Sequence, residues 1–127
     1  LEPLDPPVFV DAVFTRRDFD LAIISYCNGT DPQIGVRRQY ASGSIGPVPF
    51  SNAAGYSNPT VDSLFDAAAS TIDFDTRRAL YGRIQEIAVR DLPYIWLVES
   101  EVTRAHRRRC SGFGRAAHFA ATARCEE

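Results

Sequence analysis

Phe19-Asp-Leu-Ala-Ile-Ile-Ser-Tyr26 runs directly into Cys27-Asn-Gly-Thr-Asp-Pro32. Residues 21–24 are apolar without interruption. A short run of this kind ahead of turn residues predicts a strand buried on both faces. The second stretch is a polar turn, because Asn28, Gly29 and Asp31 tolerate left-handed backbone and bond their own main chain. Tyr94-Ile-Trp-Leu-Val98 is apolar, aromatic and β-branched, and reads as a second buried strand.

Between the two runs lie two helical patterns. Asn58 caps the first and Pro59 takes its opening position. Val61, Leu64, Phe65 and Ala68 then recur at i, i+3, i+4 and i+7, one apolar face. Asp73 or Asp75 caps the second, whose face is Leu80, Tyr81, Ile84, Ile87 and Ala88. Arg77, Arg78, Arg83, Glu86 and Arg90 fall on its solvent side. Pro93 disfavours helix at Leu92 and ends it. A shorter helix is predicted from Asp5 and Pro6 to Arg16, with Val8, Phe9, Ala12 and Val13 inward. The fold class is therefore α/β, a small sheet packed with amphipathic helices. Its core is Leu21, Ile23, Leu80, Ile84, Ile87, Ile95 and Leu97, because one sheet must cover one helix face.

Residues 27–59 hold no sustained period. They carry five glycines and four prolines, but also Ile34, Val36, Tyr40, Ile45, Val48, Phe50 and Tyr56. A long irregular segment in a compact chain is either functional or a linker. This one is too apolar for a flexible linker and is expected to pack on a surface. From Arg107 onward the pattern fades, with a turn at Gly112-Phe-Gly114.

Length and composition set bounds. The 127 residues suffice for one core, and 45% apolar content is that of a globular chain. A net charge of −2 argues against a nucleic-acid binder. No apolar run approaches a membrane span, and no signal peptide is visible. The three cysteines leave one odd. In an oxidising compartment Cys110 and Cys125 are the pair to expect, with free thiols the alternative. His106, Cys110, His118 and Cys125 lack the spacing of a zinc site, so no metal is expected.

Enzyme signatures are missing. Gly43-Ser-Ile-Gly46 has the wrong spacing for a nucleophile elbow, and Gly112-x-Gly114 lacks the third glycine of a dinucleotide loop. Two places carry binding chemistry. Asn28, Gly29 and Asp31 are either a plain turn or a ligand-facing one, since ligands of α/β sheets bind beyond the carboxyl ends of strands. Arg37 pairs either with an anionic ligand or with a neighbouring carboxylate, both by the same bidentate chemistry.

The order of these segments resembles the C-terminal part of the family 5 extracellular solute-binding proteins, the receptors of peptide, opine and nickel ABC importers. The likeness rests on Phe19-Asp-Leu-Ala, on the aromatic-to-Asp-Pro turn 26–32, and on Gly55-Tyr-Ser-Asn-Pro59 with Val61-Asp62 and Leu64. Arg78-Ala-Leu-Tyr81, Gln85-Glu86-Ile87, Asp91-Leu-Pro-Tyr-Ile95 and Arg109-x-x-Gly112-Phe113 complete it. The resemblance implies a piece of a longer, two-lobed receptor. Residues 1–113 would be the C-terminal part of a type II periplasmic-binding-protein lobe, and 114–127 a divergent or disordered tail. It implies binding of an oligopeptide or related small solute, delivery to the membrane permease of an ABC importer, a periplasmic or extracellular membrane-associated location, no catalysis and no cofactor.

The ligand-binding residues would be Tyr26, Cys27, Asn28, Gly29, Asp31 and Arg37. Tyr26 falls where the family has a cleft-lining aromatic. Residues 27–31 fall where its peptide receptors place an acidic anchor for the ligand's amino terminus. The turn here departs from that pattern, with Asn28 and Gly29 ahead of a single Asp31. The competing expectation is a stand-alone, dimeric interaction domain that binds no small molecule. In either case an uncovered edge favours a homo-oligomer.

Overall fold

Asn58 begins the longest regular part of the chain. A computed structural model describes residues 2–26 and 28–98, and the backbone of 110–111 and 124–125. Helix α3, Pro59–Ser70, follows Asn58, whose Oδ1 accepts from the Thr60 and Val61 amides at 3.0 and 3.4 Å. Those two amides belong to the helix's otherwise unpaired first turn. Val61, Leu64, Phe65 and Ala68 are buried, as their spacing predicts.

Asp73 caps helix α4, Phe74–Asp91, by accepting from the Thr76 amide at 2.8 Å. Leu92 closes it in left-handed backbone, and Pro93 prevents its continuation. The three-residue connection 71–73 forces α3 and α4 to lie antiparallel. Asp91, at the end of α4, accordingly accepts from Tyr56 Oη and Asn58 Nδ2, at the start of α3, at 2.7 and 2.9 Å.

The core sits between these helices and the segment before them. Val61, Leu64, Phe65, Ile84 and Tyr40 form it, with Val36, Leu80, Ile87 and Tyr94 at its margin. Helix α1, Pro6–Val10, widens into a π-helical stretch, Asp11–Arg16. The wider turn rotates the inward face, so that Phe14 is buried with Ala12 and Val13 while Val8 is half exposed. Arg17 ends it in left-handed backbone, and Asp5 makes no side-chain cap.

Residues 41–58 are irregular yet pinned. The side chain of Asn52, fully buried, accepts from the Tyr56 amide at 3.0 Å and donates to the carbonyls of Tyr56 and Ala41 at 2.7 and 3.1 Å. Arg17 donates to the Asn52 and Ala53 carbonyls at 3.0 and 3.4 Å. The segment is pinned by these bonds, but the packing expected of the apolar residues of 27–59 is only partial: Val36, Tyr40 and Tyr56 join the core, whereas Ile34, Ile45, Val48 and Phe50 are exposed.

The α/β expectation is corrected: the described structure is helical apart from one two-residue ladder, 110–111 with 124–125. Neither 19–26 nor 94–98 forms a strand. A strand needs a second backbone to take up its N–H and C=O groups, and neither segment has one among the described residues. The predicted core fails with them. Ile84 is buried and Leu80 and Ile87 are partly so, but Leu21 is 89% exposed, Ile23 64%, Ile95 68% and Leu97 65%. The core is built instead from α3, from α4 and from Tyr40 of α2, Arg37–Tyr40.

The chain divides into two compact units, 1–95 and 96–127. In the second, the two-residue strands β1, Cys110–Ser111, and β2, Arg124–Cys125, pair antiparallel, with Cys110 opposite Cys125 in register. Residues 107–109, His106, His118 and the 113–114 boundary lie outside the described residues. No helix among the described residues is long and apolar enough to cross a membrane.

Candidate functional site

The turn that follows Tyr26 is held from three directions. First, Asp31 nucleates its own helical turn. Its carbonyl accepts from the Ile34 amide at 3.0 Å, and its Oδ1 accepts from the Gln33 amide at 2.9 Å. This is the side-chain-to-backbone bonding that suits Asp to turns. Second, Gly35 is buried against the backbone of the preceding loop. A Cβ there would stand 2.9 Å from the Gly29 nitrogen and 3.0 Å from Asn28 Cα. Third, Asn28 Oδ1 accepts from Gln39 Nε2 at 2.7 Å, and Gln39 is fully buried.

Asp31 is also held by α4. Arg77 Nη2 donates to Oδ1 at 2.8 Å and to Oδ2 at 2.9 Å. That bond, ahead of the Gln33 amide, holds the Asp31 carboxyl below the ordinary carboxylate range. Arg77 is raised in turn, first by Asp31. Its guanidinium lies over the Tyr81 ring at 5.3 Å, and Tyr81 Oη donates to Gln33 Oε1 at 3.3 Å. Thr30 and Asp31 line one side of an open groove of about 400 Å³, with Phe74, Arg78 and Tyr81 opposite.

The other flank of the turn is aromatic. Phe14, Phe50, Tyr26, Tyr94, Tyr40 and Tyr56 follow one another at centroid separations of 5.5, 6.4, 6.3, 5.4 and 6.3 Å. The Tyr26 hydroxyl is buried without a partner at hydrogen-bonding geometry. The neighbouring Tyr94 phenol lies edge-on to the Tyr26 ring, with ring centroids 6.3 Å apart. Burial, more than Tyr94, pushes the Tyr26 phenol well above its ordinary range, so it stays protonated. Gln39 Oε1 is likewise buried without a partner. Tyr56, which donates to Asp91, is pushed up to about 12, first by burial.

Of the residues expected to bind, the structure brings Asn28, Gly29 and Asp31 onto one turn, with Tyr26 at its entrance. Cys27 lies outside the described residues. Arg37 donates from Nη2 to Asp66 Oδ1 of α3 at 2.6 Å, the neighbouring-carboxylate alternative. Its neighbour Arg38 is exposed and has no carboxylate partner among the described residues. Arg77 departs from its expected place on the solvent side, turning instead to Asp31. Gly35, Gln39 and Arg77 were missed as supports of the turn. Gly35 stood in the sequence only as one glycine of an aperiodic stretch, and Gln39 carried no signal.

No family model matches the chain, and no solved structure matches it. Over 74 residues, 58% of its length, it is 38% identical to the glutathione-binding protein GsiB of Salmonella typhimurium. The GsiB proteins of Salmonella typhi and Salmonella choleraesuis match at the same identity and extent. The matched stretch spans 14% of those relatives' own length. The likeness is partial. It supports a solute-binding protein of the kind read from the sequence, and the matched proteins are named for binding and not for catalysis.

Proposed function

We propose that this chain is a part of the solute-binding component of an ABC import system. It takes an oligopeptide or a related small molecule such as glutathione in the periplasm and passes it to a membrane permease. The observation that carries this reading is the 38% identity over 74 residues to a glutathione-binding protein. Tyr26, Cys27, Asn28, Gly29, Asp31 and Arg37 are proposed to lie at the solute. The turn suits that role because a loop fixed by a rigid scaffold presents polar groups at low entropic cost.

The test is calorimetric titration of the chain with glutathione and a panel of di- and tripeptides. Saturable binding that weakens in Asn28→Ala is the expected result. Indifference to every peptide would overturn the solute reading, and binding unaltered by Asn28→Ala would overturn the site. A second reading, a dimeric interaction domain, is favoured by the exposure of Leu21 and Ile23. Light scattering across a concentration series tests it, and a monomer throughout would remove it.

A further inference from the structure

We infer that Arg77 is a positioning residue for the turn, and that Asp31 is its partner and no anchor for a ligand's ammonium group. The binding consequence rests on the solute-binding reading above. The positioning itself does not.

Arg77 is fixed before it reaches the turn. Its Nε donates to the Ala68 carbonyl near the end of α3 at 3.2 Å, and its Nη2 also donates to Tyr81 Oη at 3.2 Å. A guanidinium is planar, so holding Nε sets the direction of Nη2. Nη2 meets both oxygens of Asp31, 46 residues earlier in the chain. The helical pair thus sets where the turn stands. Gly35 then sets how closely the 28–29 loop lies on it.

The same geometry decides the charge offered to a solute. Asp31 is the sole acid among residues 21–61. Its two oxygens already accept from Arg77 and from the Gln33 amide. Three of the roughly four acceptor sites of the carboxylate are taken, so a ligand ammonium would compete with a fixed guanidinium whose partner contacts lie in α3 and α4. Arg37 is matched by Asp66, whereas Arg78, which lines the groove beside Thr30 and Asp31, has no carboxylate partner among the described residues. The turn therefore favours a neutral polar or anionic group of the solute over a cationic one.

Hydrogen exchange and binding, both on the full chain, test this together. In Arg77→Met, amides 33–37 should exchange about tenfold faster or more, with α3 and the rest of α4 unchanged. Asp31→Asn, which keeps an acceptor for the Gln33 amide, should show a smaller rise over the same amides. It is also the variant to read if Arg77→Met fails to fold. Exchange over 33–37 equal to wild type, or loss spread evenly over both helices, would overturn the positioning role. The binding probes are trialanine and N-acetyl-trialanine. Acetylation should change affinity within about threefold, and Arg77→Met should weaken both forms alike. Loss of binding on acetylation alone would overturn the charge assignment while leaving the solute reading intact. If neither probe binds, the peptide reading falls, and exchange alone decides the role of Arg77.

Discussion

Gly35→Ala separates two opposing effects of known size. Where the native backbone tolerates alanine, Gly→Ala stabilises by about 0.4–1 kcal/mol, because the unfolded chain has fewer states to lose. Gly35 is outside the left-handed region, so that gain applies in principle. Against it stands the added methyl. It would lie 2.9 Å from the Gly29 nitrogen, 3.0 Å from Asn28 Cα and 3.1 Å from Asn28 Cβ. Two of these atoms are main chain and cannot rotate away. Overpacking of this kind costs about 1–3 kcal/mol, so the net effect should be a loss of about 1–2 kcal/mol. With a urea dependence of about 1–3 kcal/mol per molar, the unfolding midpoint should fall by roughly half a molar or more. Gly43→Ala is the control, since no atom lies within 4 Å of its added carbon. It should be neutral or slightly stabilising. A Gly35→Ala variant as stable as wild type would refute the close approach of the 28–29 loop to the 31–36 turn.

The remaining predictions concern the core, the irregular segment and acid stability. Ile84→Ala should cost about 2–4 kcal/mol, while Leu21→Ser should stay within about 0.5 kcal/mol. Comparable losses in urea melts would restore a sheet-centred core. Asn52→Ala leaves a buried amide and two carbonyls without partners, and should cost about 3 kcal/mol by chemical denaturation. A loss under about 1 kcal/mol would mean that water replaces its bonds. The Asp31 and Asp91 carboxyls are held low, first by Arg77 and by Tyr56 respectively. Depressed folded pKa values give stability that is present above the unfolded value, about 3.9, and is lost as pH falls through the folded one. The acid limb of an unfolding series below about pH 4 should therefore be shallower in Asp31→Asn than in wild type. Equal slopes would show that the pair has no thermodynamic linkage to folding.

The helical hairpin was legible because every signal for it is local. Asn58, Pro59 and Asp73 fix the starts, Leu92-Pro93 fixes the stop, and the i, i+3, i+4 spacing fixes the faces. The strands were not legible, because a strand is a property of two segments. Residues 21–24 are apolar enough for one, but their sequence does not say whether a second backbone lies beside them. Asp31 and the residues around it could be read as a polar turn from type alone. Arg77 could not be read as its support, since helical periodicity places a residue relative to its own helix and carries nothing about a turn 46 positions upstream. The same holds for Gln39 and Asn52, whose partners lie in a stretch without period.

That stretch explains why so much of the turn's support is carried by side chains. Backbone groups buried in a helix are satisfied within it, whereas residues 41–58 have few such partners and must find them elsewhere. Asn52 supplies three bonds, Arg17 two, and Asp62 of α3 accepts from the Ser42 amide at 2.9 Å and from the Ser42 hydroxyl. Each depends on one residue, so each can be lost by one substitution without unwinding a helix. The hairpin of α3 and α4 can then remain folded while the turn and the segment 41–58 open, because the bonds that close them are not those that form the helices. The pairing of Asp31 with Arg77 ties the turn to the helical layer. On the proposed solute-binding reading, this is a physical reason for a carboxylate at the turn to face a helix while the neighbouring neutral groups are left for a solute.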